Sequence, residues 1–417
     1  MDVVNNSWPV PVHLLVMRVD VRRFTFLIGS SLLWLISWLQ SAAGSGMVSV
    51  SGETAIAAYV DGRYRVAIFE RQGGAWKLGQ ELGLSGATSS TYFGYSVAVD
   101  GDTAVIGAPG DRGRVFVYRR DGGQWHFEQG IAVAPDAGEF ERYWFGAAVA
   151  IQGDTLIVGC VERDTPDCEN PHVFVYVRGG GEWQLQQKLG FPGHTRHHRF
   201  GYSLAIDGDR VVVGARFHGI KPVPDRQVGS VSVFRRDGGR WNLEQLLSEP
   251  GTFRFGQSVA ISGVQIVVGS LGGGHEAFVY QHGGDGWVRK RTIHPPTARD
   301  RDSDFGYSLD FDGTTVAIAA PRGGHASVLR LAETPSGSGS VIGQDGEEES
   351  WGKFVSVDGD TLMMLRPHEA ELRMAHWDGG SWRDAGVLDL PVRERARGAA
   401  GGSTGGGGGR SLDQAEE

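Results

Sequence analysis

The sequence predicts an all-β protein closed into a seven-bladed β-propeller of four-stranded antiparallel blades. Three observations predict it. First, a phrase of the form Phe-Gly-x-Ser-(Val/Leu)-Ala-(Val/Ile)-Asp-Gly recurs at Phe93-Gly94, Phe145-Gly146, Phe200-Gly201, Phe255-Gly256 and Phe305-Gly306, with Trp351-Gly352 as a last variant. Second, the copies are spaced by 52, 55, 55, 50 and 46 residues, the size of one propeller blade. Third, outside the N-terminal segment the apolar residues alternate as in strands and never recur with helical period. Aligning Ser51-Gly52-Glu53-Thr54 with Gln152-Gly153-Asp154-Thr155 adds a copy upstream, with Gly44-Ser45 at the Phe-Gly position, and makes seven.

The elements follow in order. Residues 1–43 read as a signal peptide: Arg18, Arg22 and Arg23, an apolar run from Phe24 to Leu39, then Ser41-Ala42-Ala43. The run of about 16 residues is short for a membrane span, which needs ~20, so cleavage is expected and a short signal anchor is the alternative. The propeller spans 44–390, with blades at about 44–92, 93–144, 145–199, 200–254, 255–304, 305–350 and 351–390. Within 93–144, strands are expected over 96–100, 103–108, 114–119 and 125–129. Asp100-Gly101 is expected to be a tight turn with both central residues at positive φ. Phe93 is expected to wedge between blades, and Gly94 to permit close backbone approach.

A second marker, Gly-Gly-x-Trp or a close variant, recurs at Trp76, Trp125, Trp183, Trp241, Trp287 and Trp382. Identical blade positions argue for packing on the outer strand over an aromatic binding ring. The blade at 305–350 lacks its copy, and an irregular outer edge is expected there. Residues 391–417, with Gly401–Gly409 nearly pure glycine, read as a disordered tail.

Phe93-Gly94, Ser96–Asp100, and then Val105-Ile106-Gly107-Ala108-Pro109 resemble the FG-GAP repeat, which builds the seven-bladed head of integrin α chains. The resemblance implies a secreted or extracellular protein that contacts ligand on the face of the long connections. One departure matters. Calcium-binding members carry Asp-x-Asp-x-Asp-Gly between the first two strands, whereas this chain has only Asp100-Gly101-Asp102-Thr103 or Asp207-Gly208-Asp209. So short a turn cannot supply six to eight oxygens, so no cofactor is expected and calcium is disfavoured. Asp300, Asp302 and Asp304 keep the alternation but lack the glycine and distal glutamate; a solvated acidic loop is the other reading. Kelch repeats, with the same architecture, are the alternative family.

Composition narrows function. The chain carries a net charge of −9, and −10 without residues 1–43 (37 basic against 47 acidic), which disfavours nucleic acid. Cys160 and Cys168, the only cysteines, are expected to form a disulfide within one loop of an exported protein. Gly94-Tyr95-Ser96-Val97-Ala98 resembles a nucleophile elbow, but it recurs at Ser203 and Ser258 and lies on a strand, so it is read as structural. No catalytic residue emerges, and the chain is expected not to be an enzyme.

Four up-and-down strands put the short 1–2 and 3–4 turns on one face. The long, varied connections (134–144, 161–171, 191–199, 216–228, 291–304) fall on the other, where binding is expected. His194, Arg196, His197, Arg216, His218, Lys221 and Arg226 cluster there and suit a carboxylate or sulfate on a partner. The function expected is therefore a secreted, non-catalytic adhesion or binding module for an extracellular protein or glycan, touching a membrane only if the leader stays uncleaved. A propeller lyase or glycosidase, or a purely structural module, is the alternative.

Overall fold

The computed structural model describes residues 46–83, 91–110, 113–132, 143–162, 172–191, 199–217, 228–272, 274–296, 303–331, 340–343 and 353–391. They form seven four-stranded antiparallel sheets, each from four consecutive strands, at 48–82, 96–132, 143–190, 200–247, 258–293, 309–342 and 354–389. This is the expected seven-bladed all-β propeller. The leader and the glycine-rich tail lie outside the described residues.

Tight turns come from two different devices. In blades one to four the 3–4 turns are Gly-Gly pairs with both residues at positive φ, as at Gly73-Gly74 (60° and 83°) and Gly122-Gly123 (58° and 78°), the pattern that matches strand twist. The 1–2 turns differ from expectation. Asp100 pairs with Thr103, so the loop is Gly101-Asp102 and only the glycine has positive φ. Asp100 is thereby a strand-end residue, and its carboxylate is free to reach sideways.

It reaches the next blade. Gly153 N–H donates to Asp100 Oδ2, Gly208 to Gln152 Oε1, Gly263 to Asp207 Oδ2, Gly359 to Asp312 Oδ2 and Gly52 to Asp358 Oδ2, at 2.5 to 3.1 Å. The last of these ties blade seven to blade one. Arg71 with Asp360 (3.0 Å) and Tyr59 Oη with the Pro391 carbonyl (3.1 Å) complete the closure.

The recurring phrase is a blade-to-blade joint. Phe93, Phe145, Phe200, Phe255 and Phe305 are almost wholly buried, and Phe145 packs among Val105, Val115 and Val117 of the preceding blade. Ser96, Ser203 and Ser258 donate to the carbonyls of Gly146, Gly256 and Gly306 in the following blade, at 2.8 to 2.9 Å. These are the serines that mimic a nucleophile elbow, and each is buried in a seam. The glycine of the second half-phrase makes room for that carbonyl. A Cβ at Gly214 would lie 2.3 Å from Gly256 O and 2.0 Å from Ser203 Oγ.

The outer strands carry their own staple. Gln80, Gln129, Gln187 and Gln245 each bond both the N–H and the carbonyl of the next blade's tryptophan, Trp125, Trp183, Trp241 and Trp287. The six tryptophans are buried, in keeping with the packing role expected. Blade six, without one, ends in a three-residue strand, Ser340–Ile342. Cys160 lies within strand Thr155–Glu162 and not in a loop, buried in the core between blades two and three. Cys168 lies outside the described residues, so the expected disulfide is not shown.

Candidate functional site

The residue after each Phe-Gly opens a blade's first strand at the axis, on the face of the long connections. In blade order this position reads Gly46, Tyr95, Ala147, Tyr202, Gln257, Tyr307 and Lys353. The residue before each phenylalanine takes a left-handed backbone in four blades: Tyr92 (φ 52°), Arg199 (48°), Arg254 (57°) and Asp304 (58°). Such a backbone is strained for residues other than glycine, and its recurrence here aims four large side chains round the axial mouth.

Arg216 stands at the centre. It follows strand Arg210–Ala215 of blade four and is 4% exposed. Its Cζ lies 3.7 Å from the Tyr202 ring centre and 4.6 Å from that of Phe217. Nη1 donates to Tyr202 Oη and, at 3.2 Å, to Gln257 Oε1, which holds the guanidinium plane. Its Nε is buried without a hydrogen-bond partner. Burial lowers the Arg216 pKa to about 10, against the opposing pull of Tyr202, and Arg199 and Arg254 push the same way as burial.

Phe217 gathers two more guanidiniums, with Arg199 Cζ at 4.8 Å and Arg254 Cζ at 5.5 Å from its ring. Among the described residues neither Arg216 nor Arg254 has a carboxylate within ion-pair distance. Asp304, whose charge acts on Arg254, has its Oδ2 bound to Arg322 at 3.0 Å and its Oδ1 4.0 Å from His275. Burial also lowers the pKa of Arg254 and of Lys353, whose Nζ sits 6.0 Å from the Tyr307 ring. Across the axis the mouth is aromatic: Tyr92 stacks on Trp144 at 5.9 Å and meets Tyr64 at 5.3 Å, and Tyr95 meets Trp144 edge-on at 5.2 Å. One half of the mouth is thus cationic and the other half aromatic.

Of the residues expected from sequence, Arg216 belongs to this mouth. His194, Arg196, His197, His218, Lys221 and Arg226 lie outside the described residues, as do Asp300 and Asp302. Asp304 is not a free loop carboxylate; it is engaged by Arg322 and His275. Sequence reasoning missed Arg254, Tyr202, Gln257, Tyr307 and Lys353. Tyr202, Gln257, Tyr307 and Lys353 stand at the unspecified x of Phe-Gly-x, a position that varies in chemistry, and Arg254 immediately precedes its phenylalanine.

Seven contiguous blades with a filled axial mouth define a β-propeller, and known proteins agree. The chain superposes on a protein assigned as a 6-phosphogluconolactonase from Bacteroides uniformis with a TM-score of 0.55 at 12% identity, covering 82% of this chain and 97% of that one. A protein from Lactobacillus plantarum gives 0.53 at 15% identity, covering 76% and 87%. A puromycin hydrolase gives 0.53 at 10% identity, covering 85% and 55%. None of the curated proteins matches the chain in sequence. The family model of the FG-GAP repeat matches residues 76–119 and 183–234, so this β-propeller carries FG-GAP repeats. One expectation is corrected. The chain was expected not to be an enzyme, but its fold neighbours include enzymes, so that exclusion does not stand. At 10–12% identity the likeness is one of fold and carries no particular reaction.

Proposed function

We propose that this propeller binds an anionic group, a carboxylate or sulfate on a protein or glycan partner, at the axial mouth of its long-connection face. We further propose that it does so outside the cell, following export by the leader. The supporting observation is Arg216, a buried cation whose Nη1 is pinned and which, among the described residues, has no partner for Nε and no carboxylate in reach. A buried charge left unpaired is costly in the unliganded protein, and an arriving anion removes that cost. The unused edge of a guanidinium takes two oxygens of one carboxylate or sulfate together. Arg199, Arg254 and Lys353 add field to the same mouth, on a protein that is otherwise acidic.

The test is an array of carboxylated, sulfated and neutral glycans and of matrix proteins, probed with wild type and R216M. Selective retention by acidic ligands that R216M loses supports the reading; equal retention by both proteins sinks it. Conversion of a retained ligand into product would establish a catalytic use of the same mouth, a second reading supported by the enzymes among the fold neighbours.

A further inference from the structure

The first strands of the seven blades enclose a chamber of about 240 Å³ on the axis, inward of the arginine mouth. By volume it has room for about eight waters at ~30 Å³ each. One position of the repeat reads, in blade order, Ser49, Ala98, Ala150, Ala205, Ala260, Asp310 and Ser356, and all seven line the chamber. Val97, Val149, Leu204 and Ile261 flank this ring but are buried in the seams between blades, so the chamber surface is mainly strand backbone and these small side chains. Among the lining residues Asp310 is the one carboxylate. Its side chain lies deep in the protein, where burial pushes its pKa up against three opposing hydrogen bonds, yet the residue keeps accessible surface on the chamber.

Joining blades does not require that charge. Asp310 Oδ2 accepts from Val357 N–H of blade seven at 3.0 Å and from Ser356 Oγ at 2.8 Å. Two other seams meet the equivalent N–H with a serine: Val50 N–H donates to Ser356 Oγ at 3.1 Å and Val99 N–H to Ser49 Oγ at 3.3 Å. The seams that begin at Ala98, Ala150, Ala205 and Ala260 have no side-chain acceptor at that place at all. A serine or alanine at 310 would therefore serve the joint without placing a carboxylate in a low-dielectric chamber. Asp310 Oδ1 accepts from Phe311 N–H at 2.9 Å, so three of the roughly four acceptor sites of the group are used and one is left. At the short-turn end of the same strands, Asp100, Asp207, Asp312 and Asp358 form an acidic rim that would concentrate cations at the entrance.

We propose that the axial chamber is a binding site for a small organic ammonium, entering from the short-turn face with Asp310 as its counter-charge. Its body lies against the ring of alanine methyls, and the N–H groups meet the open acceptor of Asp310 and the Ser49 and Ser356 hydroxyls. This site is separate from the arginine mouth and takes the opposite charge.

Titration calorimetry of the intact chain with cyclohexylammonium, and with cyclohexanol as its neutral counterpart, tests the assignment. Cyclohexylammonium is expected to bind at least tenfold tighter than cyclohexanol. D310S keeps the serine joint found at the neighbouring seams, and is expected to bind the ammonium at least tenfold more weakly. A150L fills the opposite wall while leaving Asp310 in place, and is expected to block the probe even if D310S fails to fold. No binding to wild type, no preference for the cation, or unchanged binding to either folded variant would overturn the proposal.

Discussion

Replacing Gly214 by alanine tests the mechanical logic of the repeat at one atom. The new methyl would lie 2.0 Å from Ser203 Oγ and 2.3 Å from the Gly256 carbonyl oxygen, both inside any permitted contact. The carbonyl is backbone of the next blade, so it cannot swing aside alone. The seam between blades four and five must therefore open, at an overpacking cost of about 1–3 kcal/mol, and Ser203 must also rotate and forfeit its 2.9 Å bond to Gly256, a loss of about 1 kcal/mol. The two together predict a loss of about 2–4 kcal/mol. For a domain of this size that lowers the thermal midpoint by about 5–12 °C, at roughly 2–4 °C per kcal/mol. Gly130 supplies the control: it sits on an outer strand, and a Cβ there would meet only Phe127 Cζ, at 3.7 Å. G130A is expected to shift stability by no more than about 0.5 kcal/mol. Thermal unfolding followed by circular dichroism and tryptophan fluorescence reads both variants. If G214A melted with wild type, the paired-glycine joint would not be what sets blade spacing.

Other consequences follow from the same structure. R216M removes a desolvated charge and is expected to leave stability unchanged or raise it by about 1–2 kcal/mol in the absence of ligand, by differential scanning calorimetry, while acidic-ligand binding falls at least tenfold. The staple at Gln187 accounts for two buried-edge hydrogen bonds to Trp241, so Q187A should cost about 1–2 kcal/mol. Q80A, distant from it, should add to that loss independently in a denaturant titration of the double variant. The pH dependence has a definite sign. Burial tends to raise the Glu244 pKa, but hydrogen bonds from Arg210 and Trp287 outweigh it and leave the value below 4.5, and the Arg71 hydrogen bond lowers Asp360 below 3.8. A depressed carboxylate stabilises the fold above its unfolded pKa, and that contribution disappears as pH falls through the folded value. Stability should therefore decline below about pH 4.5, and E244Q should flatten the upper part of that decline in acid-unfolding curves.

Much of the fold could be read from the chain because a repeat reports each joint several times. Phe-Gly and Gly-Ala-Pro recur in order since one glycine's carbonyl rests on the other glycine in the neighbouring blade. Four of the six tryptophans lend their backbone to a glutamine of the preceding blade, which ties them to one place in the repeat. Where the reading failed, the cause was local. Asp100-Gly101 looks like a turn pair, and only the cross-strand register of Asp100 with Thr103 shows the aspartate bonded to the next blade. Cys160 was placed in a loop because its strand runs on to Glu162, past the expected Gly-Ala-Pro end. The mouth was legible at Arg216 alone. Arg199, Arg254 and Lys353 meet at the axis although more than 50 residues separate the first two and nearly 100 the last two, and no local pattern records such convergence. Asp310 was visible as a break in a row of alanines and serines, but only the chamber gives the break a consequence.

The binding face is tested most directly by placing one charge change on each side of the ring. Titration calorimetry of a carboxylated and a sulfated oligosaccharide against wild type, R254E on the long-connection face and D207N on the short-turn face separates the two sides. The arginine mouth predicts that R254E loses at least tenfold in affinity while D207N binds as wild type does. Equal affinity of R254E and wild type, with loss confined to D207N, would place recognition on the opposite face and contradict the account.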